Sequence, residues 1–222
     1  MKKIILILIL MGISLTNYAQ DEGQGLDNQF YFRFGYSHPA NSSFGGEKSD
    51  WEDISRVGGV FELGTIFIFN NLDLGDGLRL GLNVDYVDIT YHQFEDDFED
   101  YTARILKISS KFGPSLSYNP VSKLVFDVFV KAKIPWVGGL WVDFPDTAFE
   151  DDEQYLATIG FGYSAGFNIR YSVIMIGFEF TSDKMKLKNV DTEDYIGNFL
   201  DGSDYGDKSK LANFNFTVGF SF

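Results

Sequence analysis

The strongest constraint on the fold is a strict alternation of apolar and polar residues at the end of the chain. From Phe214 to Phe222 every even-numbered residue is apolar, and the residues between them are Asn, Thr, Gly and Ser. A period of two predicts a β-strand with one apolar and one polar face, because successive side chains of a strand point to opposite sides. The same alternation recurs along the chain, which predicts an all-β fold.

Eight alternating segments can be marked, and each is expected to form one strand. They cover residues 29–37, 60–69, 78–91, 103–118, 124–136, 155–171, 173–181 and 213–222. In the third segment the apolar set changes phase after Tyr86, which predicts a β-bulge or the point where the strand leaves a membrane. A second phase change falls at Gly160 in the sixth segment.

The connections between the segments alternate in length. The long ones are residues 38–56, 92–102, 137–154 and 182–210, and the short ones are residues 70–77, 119–123 and 171–172. Long loops at one end and short turns at the other, with an even number of strands, are typical of outer-membrane barrels. The expected architecture is an eight-stranded, antiparallel, up-and-down barrel with both chain ends on the short-turn side.

The two faces of the strands differ in size as well as in polarity. The apolar set is large and aromatic, whereas the polar set combines small residues with a few long charged ones. The interior of eight strands is only wide enough for side chains to fill it, so the rings are expected to face outward into lipid. A soluble barrel of the lipocalin type, with its apolar set inward, is the less favoured alternative.

Eleven charged residues fall on the polar face and are expected to line the lumen. They are Arg33, Glu62, Arg79, Asp85, Lys107, Lys111, Asp127, Lys131, Lys133, Arg170 and Glu179. Buried charges must be paired and hydrogen-bonded, and both signs are present, so a salt-bridge network across the lumen is expected. The favoured interpretation is a polar plug, and the alternative is a narrow ion path.

The whole pattern resembles the small bacterial outer-membrane β-barrels, of which OmpX and the OmpA barrel are familiar members. The resemblance rests on the strand alternation, the loop asymmetry and the terminal aromatic pair Phe220 and Phe222. It implies that this pair is a signal for the barrel-assembly machinery and that the protein contacts outer-membrane lipid. Barrels of this kind serve as envelope structure, adhesins, small channels or lipid enzymes, so the fold does not decide the function.

The start of the chain reads as a secretory signal peptide. Met1–Lys3 is basic, Ile4–Met11 is apolar, and the segment ends at Ala19, after which cleavage is expected. The mature barrel domain is then residues 20–222. The chain has no cysteine, which excludes disulfides and thiolate metal sites.

The formal net charge of −14 makes nucleic acid an unsuitable partner, since phosphate binding needs positive charge. Much of the negative charge lies in the long connections. Asp201, Asp204 and Asp207 form a weak candidate site for Ca²⁺ or Mg²⁺, because these ions prefer oxygen ligands. The alternative is a solvated acidic crown, and no other cofactor is expected.

Two histidines are the candidates for chemistry at the outer rim. His38 precedes Ser42 and Ser43, and His92 precedes Glu95 and Asp96, so a lipid A-modifying enzyme with a His–carboxylate–Ser set is conceivable. Nothing in the sequence specifies that geometry, and a non-enzymatic role in envelope structure or surface interaction is preferred. Loop aromatics could contact a surface protein, namely Trp51, Trp141, Phe144, Phe149, Tyr195, Phe199 and Tyr205. A small solute or ion pore is the other alternative.

Overall fold

Strands make up nearly all of the described residues, which in this computed structural model are 26–43, 55–75, 77–96, 101–143, 154–190 and 208–222. The strands are β1 (Gln29–Ser43), β2 (Ser55–Asp73), β3 (Leu78–Asp96), β4 (Tyr101–Val121), β5 (Leu124–Asp143), β6 (Gln154–Ile159), β7 (Gly162–Tyr171), β8 (Ile174–Val190) and β9 (Lys208–Ser221). Within these ranges there is no helix long and apolar enough to cross a bilayer.

Strands β6 and β7 are two parts of one barrel strand. Both pair with β5 on one side and with β8 on the other, and only Gly160 and Phe161 interrupt them. Strand β1 closes the barrel by pairing with β9, from Tyr31 opposite Ser221 to Ser43 opposite Lys210. All pairings are antiparallel, so the predicted closed eight-stranded barrel is confirmed. The predicted phase change at Gly160 coincides with the interruption.

Three short connections lie at one end of the barrel, as the sequence predicts. Ser122 and Lys123 join β4 to β5, and Ser172 and Val173 join β7 to β8. Lys123 and Ser172 have φ angles of 69° and 55°. In the second turn the positive φ falls on the first loop residue, Ser172, as in the II′ turns whose twist matches that of the flanking strands, so this turn holds β7 and β8 in register.

The strands are longer than the alternation indicates, which corrects the predicted loops. Strands β3, β4 and β5 have 19, 21 and 20 residues, whereas a transmembrane strand needs about 9–11. Each begins or ends at a short turn, so the extra length extends beyond the opposite membrane surface. There both faces meet water, so backbone pairing continues without an apolar face, and the alternation fades.

A β-bulge in β3 explains the phase change after Tyr86. The register of β3 against β4 shifts between Asp85 and Asp88. The bulge turns Asp88 and His92 to the inside together with Asp85, and all three are buried. The predicted bulge is confirmed, and it adds a carboxylate and an imidazole to the lumen.

The outer wall is apolar and the inner wall is polar. Large apolar side chains are exposed along the outward face of the barrel, including Phe34, Phe61, Phe112, Phe126, Val130, Phe167, Phe216 and Val218. Tyr118 and Tyr171 are exposed at the short-turn end, and Tyr36 and Trp136 toward the other end. These two groups occupy the positions of the aromatic girdles that flank the lipid-facing band of membrane barrels.

Candidate functional site

Polar residues gather in the lumen, and toward its short-turn end an apolar cluster lies beside them, since the strand register places Ile66 opposite Asn83 and Met175 opposite Arg170. Tyr31, Ile66, Ile68 and Met175 form a buried cluster in which no member is more than 6% exposed. We call this cluster the base. Its side chains exclude water from the lumen next to the charged residues, so those charges must find partners among themselves.

Arg33 lies at the centre of the charged level and joins three other strands. Its guanidinium donates hydrogen bonds to Glu62 on β2, to Asn168 Oδ1 on β7 at 2.5 Å and to Glu179 Oε2 on β8 at 2.7 Å. Gly177 provides the room, because a Cβ there would lie 2.6 Å from Arg33 Nη1. The guanidinium therefore fills the middle of the lumen.

Two lysines complete this central group. Lys111 Nζ contacts Glu62, lies 2.7 Å from Glu179 Oε1 and lies 3.3 Å from Asp85 Oδ2. Lys131 Nζ lies 2.6 Å from Asp85 Oδ2 and 3.2 Å from Glu179 Oε2. We call the six residues the central hub: Arg33, Lys111, Lys131, Glu62, Asp85 and Glu179. Each carboxylate is shared by at least two cations.

A second charged group, the outer cluster, lies toward the long-loop end. Lys107 Nζ is 2.5 Å from Asp183 Oδ2, and Lys133 Nζ is 2.9 Å from Asp88 Oδ2 and 3.3 Å from Asp183 Oδ2. Ser109 Oγ donates to Asp88 Oδ2 at 2.6 Å. Asp88 Oδ1 is also 3.5 Å from Lys111 Nζ, which links the outer cluster to the central hub.

A third pair is separate from these groups. Arg170 donates to both carboxylate oxygens of Asp127, at 2.7 and 2.9 Å, and Ser117 Oγ donates to the same carboxylate at 2.6 Å. A bidentate arginine–carboxylate pair is among the stronger charge-assisted contacts in proteins. It joins β4, β5 and β7.

The buried charges balance. Among the described residues the buried cations are Arg33, Lys107, Lys111, Lys131, Lys133 and Arg170, and the buried carboxylates are Glu62, Asp85, Asp88, Asp127, Glu179 and Asp183. Oxygens of Glu62, Asp85 and Glu179 lie within 4.8 Å of one another, a spacing that could hold a metal ion. Here Arg33, Lys111 and Lys131 already supply the positive charge, so the geometry is that of a salt-bridge network.

Ten of the eleven residues predicted to line the lumen are buried there. Arg79 is half-buried, and its guanidinium donates to the carbonyls of Gly75 at 3.1 Å and Leu78 at 2.9 Å, near the turn between β2 and β3. At a strand end a long side chain can reach the adjoining turn. Asp88 and Asp183 were missed: the phase change in β3 signals Asp88, and Asp183 fell in a predicted loop.

The two histidines lie on opposite sides of the barrel wall. His92 was expected at the rim, but it is buried in the lumen with Nε2 2.9 Å from Ser37 Oγ, because the β3 bulge turns it inward. His38 is exposed on the outer wall, with Nδ1 3.3 Å from Tyr36 Oη. The structure therefore does not bring them together. The side chains of Ser42, Ser43, Glu95 and Asp96 lie outside the described part.

The closing seam contains the terminal aromatic pair. The backbones of Phe222 and Phe30 exchange hydrogen bonds of 2.8 and 2.9 Å, and the rings of Phe32 and Phe220 are 5.5 Å apart. Several other predicted features lie outside the described residues, namely the signal peptide at residues 1–19, Asp201, Asp204 and Asp207, and the aromatic residues Trp51, Phe144, Phe149, Tyr195, Phe199 and Tyr205. Trp141 lies in β5, but its side chain is not described.

No protein-family profile and no curated protein matches the sequence. Similar solved structures include Ail, the attachment invasion locus protein of Yersinia pestis, with 14% identity, 88% of this chain and 99% of that chain covered, and a TM-score of 0.47. A major outer membrane protein of Thermus thermophilus has 10% identity, the same coverages and a TM-score of 0.46. The outer membrane protease OmpT of Escherichia coli has 10% identity, coverages of 92% and 99%, and a TM-score of 0.46.

These similarities are weak, so the nature of the barrel rests on its own residues. A soluble barrel would place its apolar side chains inside, around a ligand. This barrel places rings and branched aliphatic side chains outside and charges inside, with tyrosine and tryptophan at both ends of the apolar band. That distribution suits a wall surrounded by hydrocarbon. The chain is a closed eight-stranded antiparallel β-barrel, and its outer wall resembles that of outer-membrane barrels.

Proposed function

We propose that the protein is a non-conducting barrel that serves the cell envelope as a structural and surface-interaction protein. One observation carries the proposal: the central hub joins strands on opposite sides of the lumen. Arg33 on β1 reaches Asn168 on β7, and Lys111 on β4 reaches Glu179 on β8. Side chains that bridge the full width at one level leave no room for a solute.

The base adds a second obstacle below the hub. Tyr31, Ile66, Ile68 and Met175 are apolar over most of their surface and buried, so an ion that passed the hub would meet packed side chains, with the already paired Arg170 and Asp127 beside them. Removing an ion from water without a compensating partner costs many kcal/mol. The described part of the lumen is therefore interrupted twice, which supports a plugged barrel over a pore.

The surface role rests on the strand extensions. Strands β3, β4 and β5 each continue for about ten residues beyond the length that a bilayer requires. The connections that follow them carry the acidic crown and the loop aromatics predicted from the sequence. A paired sheet that projects from the membrane presents these connections on a rigid support, which suits contact with another surface molecule.

Single-channel recording in planar bilayers tests the plug. We expect no unitary current from the wild type, and a small stable current from a variant that opens both levels, with Arg33→Ser and Glu179→Ser in the hub and Tyr31→Ser and Met175→Ser in the base. Lys123→Gln, at an exposed turn, is the matched control and should also be silent. A stable wild-type current would contradict the proposal and favour a pore. Proteins that co-purify with the wild type in mild detergent would identify the surface partner.

A further inference from the structure

Five lysines fall on one face of two neighbouring strands at the long-loop end. In β8 they are Lys184, Lys186 and Lys188, and in β9 they are Lys208 and Lys210. The register places Lys184 opposite Lys210 and Lys186 opposite Lys208. All five have even numbers, like the outward-facing Ile174 and Ile176 of β8 and Phe216 and Val218 of β9, so strand alternation places these positions on the outward face of the sheet. We call this set the lysine stripe.

The placement of these lysines opposite one another does not help the strands to pair. Like charges directly opposite each other on neighbouring strands are destabilising. On the far sides of the two strands, the register places Ile159 opposite Lys186, Ala157 opposite Lys188 and Ser43 opposite Lys210. None of these is acidic. The lysines of the lumen, by contrast, each lie within 4 Å of a carboxylate.

The depth of the stripe coincides with a membrane surface. From Ile174, the first residue of β8 after a short turn, to Lys184 the strand has eleven residues. A tilted transmembrane strand needs about 9–11 residues, so Lys184 and Lys210 lie at the outer boundary of the hydrocarbon. The strand positions of the other three lysines follow on the side away from the hydrocarbon.

An exposed aromatic residue adjoins the stripe. Phe161, at the interruption between β6 and β7, is 70% exposed, and its carbonyl accepts a hydrogen bond of 3.0 Å from the Lys184 amide. A ring at this depth offers an apolar surface to acyl chains, beside ammonium groups at the level of the headgroups. The combination suits an amphipathic ligand with an anionic head.

We propose that the lysine stripe binds the phosphorylated headgroup of an anionic lipid of the surrounding outer leaflet. The inference rests on the membrane-embedded barrel of the proposed function. Basic residues clustered at a membrane surface attract anionic lipids. Of the eleven lysines after residue 19, four line the lumen and five form the stripe, so a protein of net charge −14 concentrates its outward lysines at one place.

Native mass spectrometry of the detergent-solubilised protein with bisphosphorylated lipid A tests the proposal, with dephosphorylated lipid A as the second ligand. We expect the wild type to retain the phosphorylated form in preference. Each lysine near a membrane surface strengthens binding by about fivefold, so changing all five stripe lysines to Gln should weaken it by at least about a hundredfold. Lys123→Gln is the control and should bind as the wild type does.

Equal retention of the two lipids by the wild type, or equal binding by the five-lysine variant, would overturn the proposal. The alternative to a lipid headgroup as the partner of the lysine stripe is the acidic connection at residues 191–207. A variant with its aspartates and glutamate changed to amides would then bind lipid A that the wild type does not, and this result would also overturn the proposal. The heat-dependent gel mobility of each variant reports its folding, and channel recording is independent of lipid retention, so failure here leaves the plugged barrel intact.

Discussion

Two neighbouring parts of the lumen, the central hub and the base, fill their space with opposite chemistry. The central hub fills the barrel with three cations and three carboxylates, whereas the base fills it with Tyr31, Ile66, Ile68 and Met175. Tyr31 connects the two levels, since its hydroxyl donates to Asp85 in the hub and its oxygen also lies 2.8 Å from Asn83 Oδ1. The stability of the hub therefore depends on the complete pairing of its charges, while that of the base depends on the volume of its side chains.

Removing Glu179 should break the hub and have the largest effect. Glu179→Ala leaves Arg33, Lys111 and Lys131 with one carboxylate fewer, and we expect a loss of about 3–5 kcal/mol in the free energy of unfolding. Urea unfolding in lipid vesicles measures it. Asp27→Ala, at an exposed position, should change the free energy little. A Glu179 variant as stable as the Asp27 variant would show that the hub does not depend on pairing.

Shortening a side chain of the base should cost less. Ile66→Val removes one methylene from a fully buried position, so we expect a loss of about 1 kcal/mol in the same unfolding measurement. The charges of the hub stay paired, which is why the effect is smaller than that of Glu179→Ala. An effect as large as that of Glu179→Ala would mean that the base and the hub form one cooperative level and would remove the distinction between them.

The smallest effect is expected at the short-turn mouth. Arg79→Gln loses hydrogen bonds to the carbonyls of Gly75 and Leu78, which are partly open to water, and we expect a loss of about 0.5 kcal/mol or less. A loss comparable with that of Glu179→Ala would place Arg79 in the charge network after all. Folding yield from urea into vesicles serves as the companion measurement.

The sequence predicts this barrel well where lipid surrounds it. Alternation marks every strand because hydrocarbon demands an apolar residue at each second position, and the phase change after Tyr86 even locates the bulge in β3. The alternation no longer marks the strands beyond the membrane, because water surrounds them there and no apolar face is required. Asp183 was lost for this reason, since β8 continues to Val190 past the last clear alternation at Thr181.

The partners within the lumen could not be predicted in the same way. Which charges meet depends on the stagger of the strands around the closed barrel, and a local pattern contains no information on stagger. Arg33 and Arg79 share the same face by parity, yet only Arg33 reaches a carboxylate in the hub. The pairings follow from the registers of all the strands together.

The position of Arg33 also bears on how the barrel is assembled. Its partners Asn168 and Glu179 come 135 and 146 residues later in the chain. Until the last strands have docked, the guanidinium of the first strand lacks two of its acceptors, so an incomplete barrel carries an uncompensated charge in its interior. Contacts between such distant residues form late and slow the approach to the native state. The first strand thus gains its full set of buried polar contacts only when the barrel has closed.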